Sequence, residues 1–384
     1  MNVGRSLIVL ALMIWAPLAT LAENHVTLPD PTPQQDVVEV EQPRAYRLRV
    51  GVRSQARPFS YQSETLLDVI TAATPGVLAK QNYTGYIARI CDAVLNEMLL
   101  DPRNPNPLKA TDIEIVDVDV LRRDDPGKPP PRFAYLQSND PDVPPVIDIL
   151  CDPATITNDR RVGLMISSPV YLTGISYIVR KNAGNRRFFD EDFLCPRPNG
   201  DNTKPLFLFG LVGNTTAGTY GVRALIKAQE IPQARDALID YLKADSEVCL
   251  GVGADLAKAQ NVTYKGGVRF FRTHAEAAAA FCNGEVIYYI GDREIITAHA
   301  STHPACDFEG GDQTYTIDRY AIFGRIDYDK DNDQAKLVAR FFEVLSQKIV
   351  GNPSILDQAF NDTFSPRKPT PSLDIFFRAV RGTP

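Results

Sequence analysis

Three short clusters supply between them the hydroxyl groups, the arginines and the aspartates that hold a small charged ligand. The first is Cys151-Asp152-Pro153-Ala154-Thr155-Ile156-Thr157-Asn158-Asp159-Arg160-Arg161. It follows an apolar run, Val146 to Leu150, and reads as a buried strand surfacing into a loop and a helix start. At such a junction the hydroxyls of Thr155 and Thr157 and the first N–H groups of the helix can point at one carboxylate, while Arg160 pairs with it bidentately. The second cluster, Gly213 to Gly218, follows the strand Leu206 to Val212 and brings Thr215 and Thr216 ahead of a helix over Val222 to Ala228. The third, Gly291-Asp292-Arg293, follows Val286 to Ile290 and opens a helix over Glu294 to Ala300. Ligands of open α/β sheets sit at the carboxyl ends of strands, so these are the places to look. Each residue also has a purely structural reading. Arg160 can support a helix start beside Asp159, the threonines can be caps or turn residues, and Asp292 can be an N-cap.

Two further residues have the right chemistry. Arg53 ends the strand Tyr46 to Arg53 beside Phe59 and Tyr61, as surface cover or as a ligand clamp. His274 lies in the first turn of a helix whose start, Thr273 to Glu276, has a capping-box pattern, and by itself it reads as an exposed histidine. No G-x-S-x-G elbow, H-E-x-x-H or phosphate-binding loop occurs, and His299 and His303 have no acidic base between them. The residues favour binding over catalysis, with no cofactor and no metal ion expected.

The elements that must position these groups follow from periodicity. Apolar residues at 87, 90, 94, 95 and 98 give a core-packing helix over Gly85 to Met98, and Ile113 to Val120 reads as a strand. Strand, helix and strand in that order make a right-handed βαβ unit. Arg122 to Pro145 reads as a surface insertion around Arg132 to Leu136. The strand Gly174 to Arg180 is where the chain crosses between domains, Asn182 to Pro205 is loop-like, and the strand Tyr315 to Ile326 leads to an amphipathic helix over Gln334 to Val350.

At 384 residues, with 44% hydrophobic and 23% charged, the chain has material for two cores. Its balance of 41 basic against 47 acidic residues argues against a nucleic-acid surface, because no basic excess exists to displace counterions. Residues 1–22 carry one positive charge, an apolar run from Leu7 to Leu18 and small residues at Thr20-Leu21-Ala22, the pattern of a cleaved secretory signal. Residues 23–45, rich in Pro and Glu, read as a disordered leader. Export places Cys91, Cys151, Cys195, Cys249, Cys282 and Cys306 in an oxidising compartment, where disulfides are expected among 15 possible pairings.

In combination these stretches resemble the periplasmic amino-acid-binding proteins of ABC importers, the family 3 extracellular solute-binding proteins. The resemblance spans residues 46–364 and rests on Arg49 to Tyr61, Gly85 to Val94, Cys151 to Arg160, Asn214 to Thr216 and Gly284 to Arg293. It implies an α/β, two-lobed type II fold with two crossing hinge strands, residues 46–175 and 319–384 in one lobe and 176–318 in the other. It also implies that Arg160 holds an α-carboxylate shared with Thr216, that Asp292 takes the α-ammonium, and that Thr155 helps bind the zwitterion, with Thr215 beside Thr216 a further ligand-binding candidate. Arg53 and His274 match the branch similar to glutamate/aspartate-binding proteins. Pro153 and Ala154 depart from the family pattern, removing a backbone donor and a hydroxyl. By the lobe assignment Cys91 pairs with Cys151, leaving three arrangements for the other four. The expected protein is a periplasmic monomer that captures glutamate or aspartate and delivers it to a membrane permease. The rivals are a dehydratase-like enzyme on the same fold and a sensory module.

Overall fold

The computed structural model describes residues 48–64, 75–101, 107–124, 132–137, 145–181, 195–200, 203–230, 249, 251–326 and 332–382. The expected signal and leader lie outside these residues, as do parts of the expected insertion Arg122 to Pro145 and of the loop-like stretch Asn182 to Pro205. Two sheets organise the fold. In the first, Leu48–Val52 lies between Ile113–Asp117 and Ile149–Thr155, parallel to both, and Asp318–Arg325 then runs antiparallel to Ile149–Thr155 and to the short strands Leu164–Ile166 and Tyr171–Thr173. In the second, Pro205–Val212 is parallel to Val268–Phe271 and Val286–Asp292, and Ile175–Arg180 runs antiparallel to Val286–Asp292 with Phe308–Gly310 beyond it. The two sheets repeat one plan, and the chain passes between them twice, at Gly174 and between Gly310 and Asp318. This is the two-lobed α/β arrangement with two crossing strands that the resemblance implies.

Each sheet is covered on both faces, the parallel strands being apolar nearly throughout. Helix Tyr86–Leu100 buries Ile87, Ile90, Val94, Leu95 and Met98 against the first sheet, with helix Asp333–Val350 contributing Leu337, Phe341 and Leu345. Helices Ile355–Phe364 and Pro371–Arg381, not anticipated from the sequence, complete that core through Phe360 and Phe377. The second sheet packs helix Thr216–Lys227 on one face and helix His274–Cys282 on the other. Cys91 and Cys151 are bonded, tying the first helix to the strand beside it across 60 residues. Closing a loop of that length contributes about 4 kcal/mol in the chain-entropy model. Cys195 pairs with Cys249 and Cys282 with Cys306. Among the described residues no helix is long and apolar enough to cross a membrane.

Two expectations need correction. The strand expected over Ile113 to Val120 ends at Asp117, where the carboxylate accepts from the N–H groups of Asp119 and Val120 and starts a helix, Val118–Asp124. The strand expected to surface after Leu150 instead continues, fully buried, to Thr155. It accommodates Pro153 because the ladder is irregular there: Leu150 faces Phe323 and Ala154 faces Ala321, so Cys151, Asp152 and Pro153 stand opposite Ile322 alone. Proline lacks the N–H that a regular ladder would need, and such a bulge re-aims the side chains it carries.

Candidate functional site

The bulge delivers Pro153 and Thr155 to the cleft between the lobes. No helix follows them. Asp159–Arg161 is a single 3-10 turn leading to Leu164–Ile166, so the row of helix N–H groups expected near Arg160 is not built. Arg160 stands on its side chain alone: Nη1 donates to the Thr155 carbonyl at 2.7 Å, and the guanidinium lies 4.4 Å above the Phe133 ring. Burial and the nearby Arg132 lower its pKa to about 10, while Asp152 and Asp292 act in the opposite sense.

The second lobe does present helix starts. Pro205–Val212 ends at Gly213, and Asn214 takes a left-handed conformation (φ 57°), which asparagine tolerates better than most residues. Thr215 follows as the N-cap of helix Thr216–Lys227, its hydroxyl accepting from the Gly218 N–H at 2.9 Å and donating to the Val212 carbonyl at 2.8 Å. Thr216 opens the helix. The structural role of Thr215 and its place in the cleft therefore coexist. Asp292 occupies the N-cap position of helix Arg293–Ser301 without capping it through its side chain. Its Oδ2 instead accepts a hydrogen bond across the cleft from the Tyr320 hydroxyl, and its Oδ1 is shielded without a partner. Burial raises the Asp292 pKa to about 7, against the lowering effect of the Tyr320 bond.

These groups enclose one cavity, lined by Arg53, Arg132, Pro153, Thr155, Thr215, Thr216, Ala217, His274, Asp292 and Ile295. Six of the eight residues singled out in the sequence line it, and Arg160 adjoins it through Thr155. Thr157 does not line it. Its volume, about 10 Å³, is room for roughly one water molecule. A molecule larger than water enters only when the walls part.

Arg53 and His274 prove to be buried, 2% and 4% exposed, and partnered within the protein. Arg53 Nε donates to Asp119 at 2.9 Å, and Nη1 lies 3.9 Å from Asp152. Burial disfavours its charge, yet Asp119 and Asp152 outweigh that cost and raise its pKa. His274, expected to be exposed on spacing alone, has Nδ1 2.7 Å from the Tyr289 hydroxyl and stacks on His299 at 5.7 Å. Burial, then His299 and Arg53, hold its pKa well below the usual range, so it is neutral at pH 7.

Four members of the network were not singled out in the sequence. Arg132 is 7% exposed, places Nε 2.7 Å from Asp152 and donates from Nη2 to the Pro153 carbonyl at 3.0 Å. Asp152 is fully buried at the bulge, and neither of its oxygens makes an aligned hydrogen bond despite that close ion contact. Burial raises its pKa, with Arg132 and Arg53 opposing. Asp119 and Tyr320 complete the set. Arg132 falls outside any periodic pattern and Asp119 lay in a run expected to be strand, whereas Asp152, a carboxylate two residues past an apolar run and beside a proline, was a visible anomaly. Among the described residues no group of three or more His, Cys, Asp or Glu side chains is placed to hold a metal ion.

No family profile matches the chain, and no curated protein matches it. Solved structures do. An ancestral arginine-binding protein bound to glutamine aligns over 83% of this chain and 97% of its own, at 16% identity and a TM-score of 0.47. The arginine-, lysine-, histidine-binding protein ArtJ from Geobacillus stearothermophilus aligns over 85% and 99%, at 16% identity and a TM-score of 0.48. The cysteine-binding protein from Campylobacter jejuni aligns over 83% and 89%, at 17% identity and a TM-score of 0.49. Likeness at these identities concerns the fold alone, and the ligands in those descriptions belong to those proteins.

Proposed function

We propose that this protein is an exported solute-binding protein that closes its two lobes, 46–175 with 319–384 and 176–318, over one acidic amino acid. The observation that carries the reading is the cavity between the sheets, where cationic side chains of one lobe meet a carboxylate and helix-start threonines of the other. Arg160, with Thr155 and Thr216, takes the α-carboxylate; Asp292 takes the ammonium; Thr215 borders them. Arg53, Arg132 and the neutral His274 supply donors for a second carboxylate, which makes glutamate or aspartate the favoured ligand. A charged ligand in so enclosed a place needs opposite charges on the protein, because the closed cleft excludes water that would otherwise solvate it. The Tyr320–Asp292 and Thr173–Glu294 hydrogen bonds join the lobes and must open to admit ligand, as in a hinged trap. Delivery to an ABC permease follows from the same reading.

A thermal-shift screen of the purified chain against all amino acids and small carboxylates, with calorimetry on each hit, tests it. Acidic amino acids should give the largest shifts, and absence of any amino-acid hit would reject the reading. One observation favours a second reading: Asp292, with a pKa near 7 and a shielded oxygen, is suited to general acid or base work on a bound carboxylate. Release of an altered compound from the same incubations would establish that enzyme instead.

A further inference from the structure

Asp292 faces the cleft, but the next two residues line a different cavity. It measures about 580 Å³, within the range of small-molecule sites. One wall belongs to helix Arg293–Ser301 through Arg293, Glu294, Thr297, Ala298 and Ser301, continued by Gly310 to Asp312. The opposite wall belongs to the first lobe: Pro58, Tyr171, Phe360 and Phe364, then the chain turning between the last two helices, with Arg367, Lys368 and Thr370. The aromatic side chains are mutually packed, Phe364 lying 4.8 Å from Phe360 and stacked 5.9 Å from Tyr171.

The charges on the two walls are not equivalent. Arg293 and Glu294 pair with each other, and Glu294 also accepts from Thr173. The side chains of Arg367 and Lys368 have no ion-pair partner among the described residues, and Thr363 Oγ1, on the same wall, is shielded without a hydrogen-bond partner. Phe364, half-buried on the buried Phe360 and Tyr171, stands in this cavity with two exposed cations that outnumber the one further carboxylate lining it, Asp312, and the set fits a compound with a flat apolar body and one anionic group. We infer that this cavity is a second ligand site, for a small aromatic carboxylate whose ring lies against Phe364 and whose charge meets Arg367 and Lys368. Because its walls come from both lobes, an occupant bridges them independently of whatever the cleft binds.

The test is fluorine NMR of the purified chain with 4-fluorophenylacetate and with its neutral amide, 4-fluorophenylacetamide. The carboxylate should bind at least tenfold more tightly than the amide. The exposed double variant Arg367→Glu with Lys368→Glu should abolish that preference while keeping native helical content, and Arg160→Ala should leave it unchanged. Equal binding of acid and amide, no binding of the acid at millimolar concentration, or undiminished preference in the double variant would overturn the site. Loss of binding in Arg160→Ala would place the probe in the cleft and overturn it equally.

Discussion

Arg160 and Asp292 are carried by strands that leave their sheets in opposite ways. In the first lobe the strand Ile149–Thr155 bulges, stays buried to its end and gives way to one 3-10 turn, so the cleft receives side-chain cations held by a buried ion network: Arg53, Arg132, Asp119 and Asp152. In the second lobe both strands run directly into helices, so the cleft receives capping hydroxyls, helix N-termini and a carboxylate. The first jaw makes its positive field from long side chains that need counter-ions of their own; the second makes its field from backbone and has only Asp292 to keep ionised. Their failure modes should therefore differ: the first through the fold, the second through protonation.

The largest expected effect breaks the first jaw. Asp152→Ala leaves Arg132 and Arg53 short of a counter-ion in a dry site, and removing one member of a buried pair costs about 3 to 5 kcal/mol. Denaturant unfolding should show that loss; a variant as stable as the wild type would mean that the network is not held by Asp152. The second jaw is best broken by pH. An Asp292 pKa of about 7 in the folded protein, against 3.8 as its ordinary value, means that the folded state retains a proton which the unfolded state has released between those limits. Stability should then fall as pH rises through that window, by an amount of order 2 to 4 kcal/mol. Affinity for an ammonium ligand should run the other way, dropping about tenfold for each unit below pH 7 as Asp292 takes its proton. Asp292→Asn should flatten both profiles, and persistence of either slope would assign it to another group. The smallest effect sharpens the contrast: Thr215→Ala removes the N-cap of helix Thr216–Lys227 and should cost about 1 kcal/mol in thermal unfolding.

The same contrast governs what the sequence could reveal. The second jaw was legible because an apolar run ending in hydroxyls or a carboxylate ahead of a helix announces itself locally at Thr215 and Asp292, although the first of these helices starts at Thr216 and not at Val222 as expected. The first jaw was only half legible. Thr155 and Arg160 stood out, but the strand was expected to surface after Leu150, when a bulge against Ile322 lets it pass through Pro153 to Thr155. Arg132 was hidden for a different reason: its partners Asp152 and Pro153 are about 20 residues away, and no local period records a contact made by tertiary packing. The Cys91–Cys151 bond came from resemblance, since spacing alone leaves the pairing open.

The central claim, that both jaws close on one zwitterion, rests most directly on Arg160. Calorimetric titration of L-glutamate into the wild type and into Arg160→Ala, with the variant's fold checked by circular dichroism, should show affinity lost by roughly 2 to 5 kcal/mol, about one and a half to three and a half decades in Kd. Unchanged affinity in a folded Arg160→Ala protein would contradict it.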